Sequence, residues 1–284
     1  MSIDVGPDWA RIELPEAWPD RIQWRRLSEL VRLWRKFSGR LRERVHLPDG
    51  LPGADKLPRY LLQEFHNLPN GNYSRGITRG YARSFDHAML GTLRTGRRRI
   101  AETLRHARRA LDLGSGAGHL AGALREAGVG EVWGLEPSPY LLRIAASTHP
   151  DVVWRHGVGE ESGLPDSHFD AVGICFVLHE VPPIYLRRMC AELRRITTAG
   201  ATLAILEPSP RQWRDSAWAM WKSHGWRGVY FRLLARRVHE PFADAWHKLD
   251  FAALLAEHGF VVETDETGCP FRFIVARRRD GAAA

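Results

Sequence analysis

Asp112 stands two residues before Gly114 in the run A-L-D-L-G-S-G-A-G-H-L, and Glu136 closes a second apolar run, E-V-W-G-L-E, ahead of Pro137 and Ser138. A carboxylate inside the end of an apolar run is costly to bury unless donors meet it, so Asp112 calls for turn amides or a ligand ammonium group. Gly114, Gly116 and Gly118 permit positive φ and remove side chains, so a ligand can lie directly on the main chain. An acid roughly 20 residues beyond such a turn is placed to meet ribose hydroxyls. The spacing Gly-x-Gly-x-Gly departs from the dinucleotide fingerprint Gly-x-Gly-x-x-Gly, which makes pyrophosphate the poorer fit.

A third apolar run ends in C-F-V-L-H-E-V-P, which puts His179 and Glu180 at the rim of the same edge. A histidine with an ordinary pKa near 6.5 could take the proton of a phenol or an activated carbon acid. Glu180 could orient it or hold an acceptor. The plainer alternative is that His179 caps the following helix or only lines the pocket. These residues need a scaffold of buried parallel strands, read at 111–113, 132–135, 151–155, the run ending near Phe176, and 201–206. Between the last two, residues 183–196 read as a helix stopped by Ala199 and Gly200. Residues 251–258 read as a last helix, followed by strands at 261–262 and 271–276 joined across 267–270.

The D-L-G-S-G-A-G turn, Glu136 and this order of segments resemble the class I S-adenosylmethionine-dependent methyltransferases, well over residues 108–208 and by general pattern over 251–277. The resemblance implies an α/β fold, a Rossmann-like doubly wound sheet with a closing antiparallel hairpin. It implies S-adenosyl-L-methionine as cofactor, with Asp112 and the turn (Gly114, Ser115, Gly116, Gly118) at its methionine part and Glu136 at its ribose. Pro137, Ser138 and Phe176 complete the expected contacts. Relatives often close a tyrosine over the cofactor from the helix before the core, and Tyr81 is the candidate, although Tyr81 and Phe85 also have the i, i+4 spacing of a packing pair. Many relatives place an Asp directly after the glycine equivalent to Gly157. Val158 stands there instead, leaving Glu160 or Glu161, or the backbone, for the adenine. The H-E-V-P segment resembles the quinone-pathway and natural-product branch. It departs from the Asn/Asp-Pro-Pro-aromatic signature of nucleic-acid amino methylases.

Organisation follows from composition along the chain. Residues 1–106 read as an N-terminal helical region in which Leu27, Leu30, Val31, Trp34, Leu41 and Val45 form one apolar stripe, expected to dock on the core, pair with a second subunit in a homodimer, or touch a membrane. The turn-rich segment from His66 to Gly76 looks like a site, with Tyr73 and Arg75 as substrate candidates. The methyltransferase-like core takes 107–207. Residues 208–247, crowded with tryptophan, read as an aromatic-rich helical insertion, either a lid over an acceptor pocket presenting Trp218 and Trp221 or a subdomain filling its own core. Residues 248–284 close the core with a short tail.

The 284 residues can bury a full core, and no apolar segment is long enough to span a bilayer. The opening M-S-I-D-V-G-P-D-W lacks the form of a secretory signal, which points to a cytoplasmic protein. Cys175, Cys190 and Cys269 have neither zinc nor disulfide spacing, so no metal is expected. The formal charge of +8 raises nucleic acid as a partner, but Arg25, Arg26, Arg32, Arg35, Lys36 and Arg40 read as a solvated helix face. The expectation is methyl transfer to a small, aromatic or apolar acceptor. The rivals are an RNA methyltransferase or a non-catalytic scaffold of the same fold.

Overall fold

The computed structural model describes residues 7–279, so the first six residues of the opening and the end of the tail lie outside the described residues. Seven strands form one sheet in the order β3-β2-β1-β4-β5-β7-β6. The first five, β1 (Arg109–Leu113), β2 (Glu131–Glu136), β3 (Val153–His156), β4 (Phe169–Cys175) and β5 (Thr197–Pro208), are parallel. β7 (Phe271–Arg278) runs antiparallel between β5 and β6 (Phe260–Thr267). Chain order reverses beside β1, and in open parallel sheets ligands bind at the strand ends of such a switch point.

Apolar composition dictates the central strands: Ala110, Leu111, Leu113, Val172, Ile174, Leu203 and Ile205 are at most 1% exposed, because helices cover both faces. On one side lie α3 (Thr92–Leu104), α4 (His119–Glu126) and α5 (Pro139–Thr148); on the other lie α6 (Pro183–Ile196) and α10 (Phe251–Glu257). Their starts are encoded locally. The Ser138 hydroxyl accepts the Leu141 N–H ahead of Pro139, and Asp250 accepts the N–H of Ala253.

Three local readings change. α6 ends at Ile196, and Ala199 and Gly200 belong to β5, which begins at Thr197. Thr197 pairs with Phe169, and a register shift absorbs the intervening residues, so strand pairing overrides the glycine stop. The N-terminal stripe is split: α1 covers Leu27–Phe37, and Gly39 at φ 71 turns the chain before Leu41 and Val45. Of the stripe, Val45 packs in the core and Leu30 and Leu41 are half-buried, but the rest of its face on α1 does not dock. Leu27, Val31 and Trp34 are 74%, 44% and 55% exposed, whereas Leu33 and Lys36 face inward. Lys36, placed on the solvated face by the sequence, is buried because its Nζ meets Glu64 at 2.5 Å and Glu43 at 3.0 Å. Among the described residues no helix is long and apolar enough to cross a membrane.

Before the core, α2 (Arg75–Ala88) lies across the strand ends and packs on α5. After β5 come α7 (Arg211–Arg214), α8 (Ala217–Arg237) and α9 (Ala243–Lys248), with α8 bent at Gly225.

Candidate functional site

β1 carries Asp112 to the sheet edge at 1% exposure, where its Oδ2 accepts the Ala121 N–H of α4 at 2.8 Å. β2 ends on Glu136, whose Oε2 accepts the Gly116 N–H at 2.7 Å and Oε1 the Ser138 N–H at 2.8 Å. One carboxylate thus ties the glycine turn to the start of α5. Burial pushes both acids up, Asp112 to about 7 and Glu136 to about 7, even though these backbone donors favour the ionised forms. Ser115 Oγ is buried beside them without a partner. Gly116, at φ +53, has nothing within 4 Å of where a Cβ would stand. Two buried acids, an unpaired hydroxyl and open space over a bare backbone make a site built for a polar ligand.

These groups line one cavity, together with Gly114, Pro137 and Ser138, with Tyr73 and Tyr81 from the N-terminal region, and with Gly157, Val158, Phe176 and Glu180. Tyr81 combines both of its sequence readings. It lies 4.9 Å from Phe85, ring centre to ring centre, and also walls the cavity. Phe176 adopts φ 62 at the end of β4, a strained value for a bulky residue.

Other sequence candidates lie elsewhere. Gly118 begins α4 at φ 83, and a Cβ there would approach Trp154 to 2.8 Å, so it serves packing and does not border the cavity. Glu160 accepts the Tyr60 hydroxyl at 3.0 Å, and Glu161 is exposed; Val158 forms the wall that they were expected to form. Arg75 is exposed and donates its Nε to the Leu14 carbonyl at 2.9 Å, fastening α2 to the N-terminal segment. Trp218 and Trp221 are 72% and 53% exposed on the outer face of α8.

The H-E pair is divided by its surroundings. His179 is fully buried, and its Nδ1 lies 2.7 Å from Glu207 Oε2, so Glu207 orients it, a role expected of Glu180. Glu207 also accepts the N–H groups of Val177 and Leu178, both at 2.9 Å, and of His179 at 3.2 Å, pinning the loop after β4. Burial alone would lower His179, but the facing carboxylates of Glu207 and Glu240 outweigh it and hold it at about 9. Glu180 turns to the cavity, 3.2 Å from His66 Nε2.

Glu207, His66 and Glu240 went unnoticed in the sequence. Glu207 carried the signal that exposed Asp112 and Glu136, an acid ending a buried strand. His66 opens the turn-rich segment that reads as a site but was not singled out within it, and Glu240 carried no signal, since it reaches the site from a distant loop.

A second cavity, walled by Leu68, Met89, Trp213, Phe231, Leu234 and Val238, meets the first at Tyr81, Phe85 and Phe176. The aromatic insertion is therefore mixed: Trp213 and Phe231 face this cavity, and Trp246 fills the core against Phe251.

Residues 111–205 match the family model described as a methyltransferase domain. The chain carries a methyltransferase domain. An uncharacterized methyltransferase of Mycobacterium tuberculosis is 35% identical over 100 residues, which is 35% of this chain and 40% of that protein. A 2-phytyl-1,4-naphtoquinone methyltransferase of Synechococcus elongatus is 34% identical over 109 residues, 35% of this chain and 45% of that protein. The chain thus spans less than half the length of these relatives. The mitomycin 7-O-methyltransferase MmcR shares the fold, with a TM-score of 0.50 and 22% identity over 70% of this chain and 58% of that one. The cofactor that goes with this methyltransferase domain is S-adenosylmethionine, and the acids, the unpaired Ser115 hydroxyl and the open Gly116 turn fit an ammonium, a ribose and a close-lying chain.

Proposed function

We propose that the protein transfers a methyl group from S-adenosylmethionine to a small, apolar or aromatic acceptor. The observation that carries this reading is the pair of adjacent cavities, one floored by the glycine turn and its buried acids, the other more apolar, which share Tyr81, Phe85 and Phe176 as walls. Asp112 and the turn from Gly114 to Gly116 hold the amino-acid end of the cofactor. Glu136 has acceptor capacity left for ribose hydroxyls after its two backbone bonds, and Ser115, Pro137 and Ser138 flank it. Bound S-adenosylmethionine supplies an electrophilic methyl group on a sulfonium.

Methyl transfer is an in-line displacement, so the protein's task is to hold the acceptor in line and keep water out. Phe176 and Tyr81 form the aromatic neck that excludes water. Glu180, at the junction, accepts the hydrogen bond of an acceptor hydroxyl and so fixes the direction of its lone pairs. Glu207 is a positioning residue, because it sets the loop on which Phe176 and Glu180 ride. The second cavity is walled mainly by apolar side chains such as Leu68, Met89 and Leu234, with His66, Ser84, Gln212 and Glu240 as polar groups, which favours a small, largely apolar molecule over RNA there.

The test is a transfer assay with methyl-labelled S-adenosylmethionine against phenols, hydroquinones and apolar amines, beside a structured RNA. Label on a small phenolic or quinone-like compound, lost in Glu180→Gln, supports the reading. Label on RNA alone overturns it.

A further inference from the structure

We propose that His66, His179 and Glu180 bind a divalent first-row metal ion at the junction of the two cavities. One donor atom from each of the three lies within 4.8 Å of the other two. Glu240 faces them, its Oε1 3.7 Å from both His66 Nε2 and His179 Nε2. In a tetrahedral site with bonds of about 2.1 Å, neighbouring donors stand about 3.4 Å apart. Three of the separations, 3.2 Å between His66 and Glu180 and 3.7 Å from each histidine to Glu240, bracket that value, and the donors of the His66, His179 and Glu180 set lie within 4.8 Å of one another.

The unsatisfied atoms point the same way. His179 is wholly buried, and its Nε2 has no hydrogen-bond partner; Glu240 Oε2 is likewise buried and unpartnered. Native proteins pair nearly all such atoms, with an ion where no protein group serves. His179 Nδ1 is held by Glu207 at 2.7 Å, the carboxylate–histidine arrangement that orients a metal-binding imidazole, and at Nε2 the ion takes the place of the proton. His66 is delivered by a left-handed backbone, φ 56 followed by φ 58 at Asn67.

Two imidazoles with carboxylate oxygens select the zinc, cobalt and iron group over calcium and magnesium, which take oxygen alone. The cysteine spacings that argued against a metal in the sequence do not bear on a site of histidine and glutamate. His66 and Glu240 border the apolar cavity and Glu180 the polar one, so the ion has an entry path. Metal binding stands independently of methyl transfer. Its use there rests on the reading above: the ion presents positive charge to an acceptor oxygen entering from the apolar side.

The experiment starts from the full chain dialysed against chelator, titrated with Co2+ and with Zn2+ and followed by calorimetry and visible absorption. S-adenosylhomocysteine binding is measured on the same samples. One ion per chain, visible Co2+ bands, and at least 100-fold weaker binding in both His66→Ala and Glu180→Gln are expected, with S-adenosylhomocysteine affinity of His66→Ala unchanged within about threefold. Absence of stoichiometric binding at 100 µM Zn2+ (about 5.5 kcal/mol on the affinity scale), or binding untouched by both substitutions, overturns the site. Loss of S-adenosylhomocysteine binding by the unaltered chain would instead count against the methyltransferase reading.

Discussion

Asp112→Asn should stabilise the unliganded protein while crippling its cofactor site. In the fold the Asp112 pKa rises from 3.8 to about 7, and burial is the main cause. At about 1.4 kcal/mol per pH unit, the buried site disfavours the ionised form by about 4 kcal/mol at most. The folded state then binds more protons than the unfolded one between about pH 4 and pH 7, so this group's contribution to stability is present below pH 4 and lost as pH rises through 7. Asparagine cannot ionise, and its Oδ1 can still accept the Ala121 N–H. Allowing for relaxation and water in the cavity, a gain of about 1–3 kcal/mol is expected at pH 8, a melting temperature several degrees higher, and no gain at pH 4. The same change removes the charge that an ammonium would meet, worth about 1.5–3 kcal/mol, or roughly 10- to 150-fold in affinity for S-adenosylhomocysteine. Thermal melts at pH 4, 6 and 8 and calorimetric titration at pH 8 read both effects. A variant that is less stable at pH 8 and binds S-adenosylhomocysteine normally would refute the reasoning.

Other substitutions separate the parts of the site. Gly116→Val places a branched side chain at φ +53 in the space above the turn and should abolish S-adenosylhomocysteine binding in titration; retained affinity would move the cofactor elsewhere. Glu207→Gln leaves an amide where a carboxylate accepts four hydrogen bonds. Melting should fall by an amount reflecting about 3 kcal/mol, and an unchanged melt would remove Glu207 from its positioning role. Trp218→Ala with Trp221→Ala, on residues 72% and 53% exposed, should leave S-adenosylhomocysteine affinity within twofold; a larger loss would bring α8 back over the site.

The strand ends were readable because a buried acid, three glycines and a second acid sit in one short stretch, and short spacings translate directly into geometry. Asp112, Glu136 and the turn come together for that reason. The turn-rich segment at 66–76 was readable as a site, but not which residues enter it: Tyr73 reaches the cavity, whereas Arg75 is spent on Leu14. Periodicity revealed α1 as a helix and could not reveal its buried side, because Lys36 is drawn inward by Glu64, a pairing made only in the fold. Composition could not sort the tryptophans either: Trp218, Trp221 and Trp226 on α8 face out on both sides of the bend at Gly225, whereas Trp213 on α7 and Trp246 on α9 face in.

The most direct measurement of the central claim is calorimetric titration of the purified, folded chain with S-adenosylhomocysteine. One site of micromolar affinity, about 8 kcal/mol, lost in Gly116→Val, is the predicted result. A folded protein that shows no binding heat at any attainable concentration would contradict it.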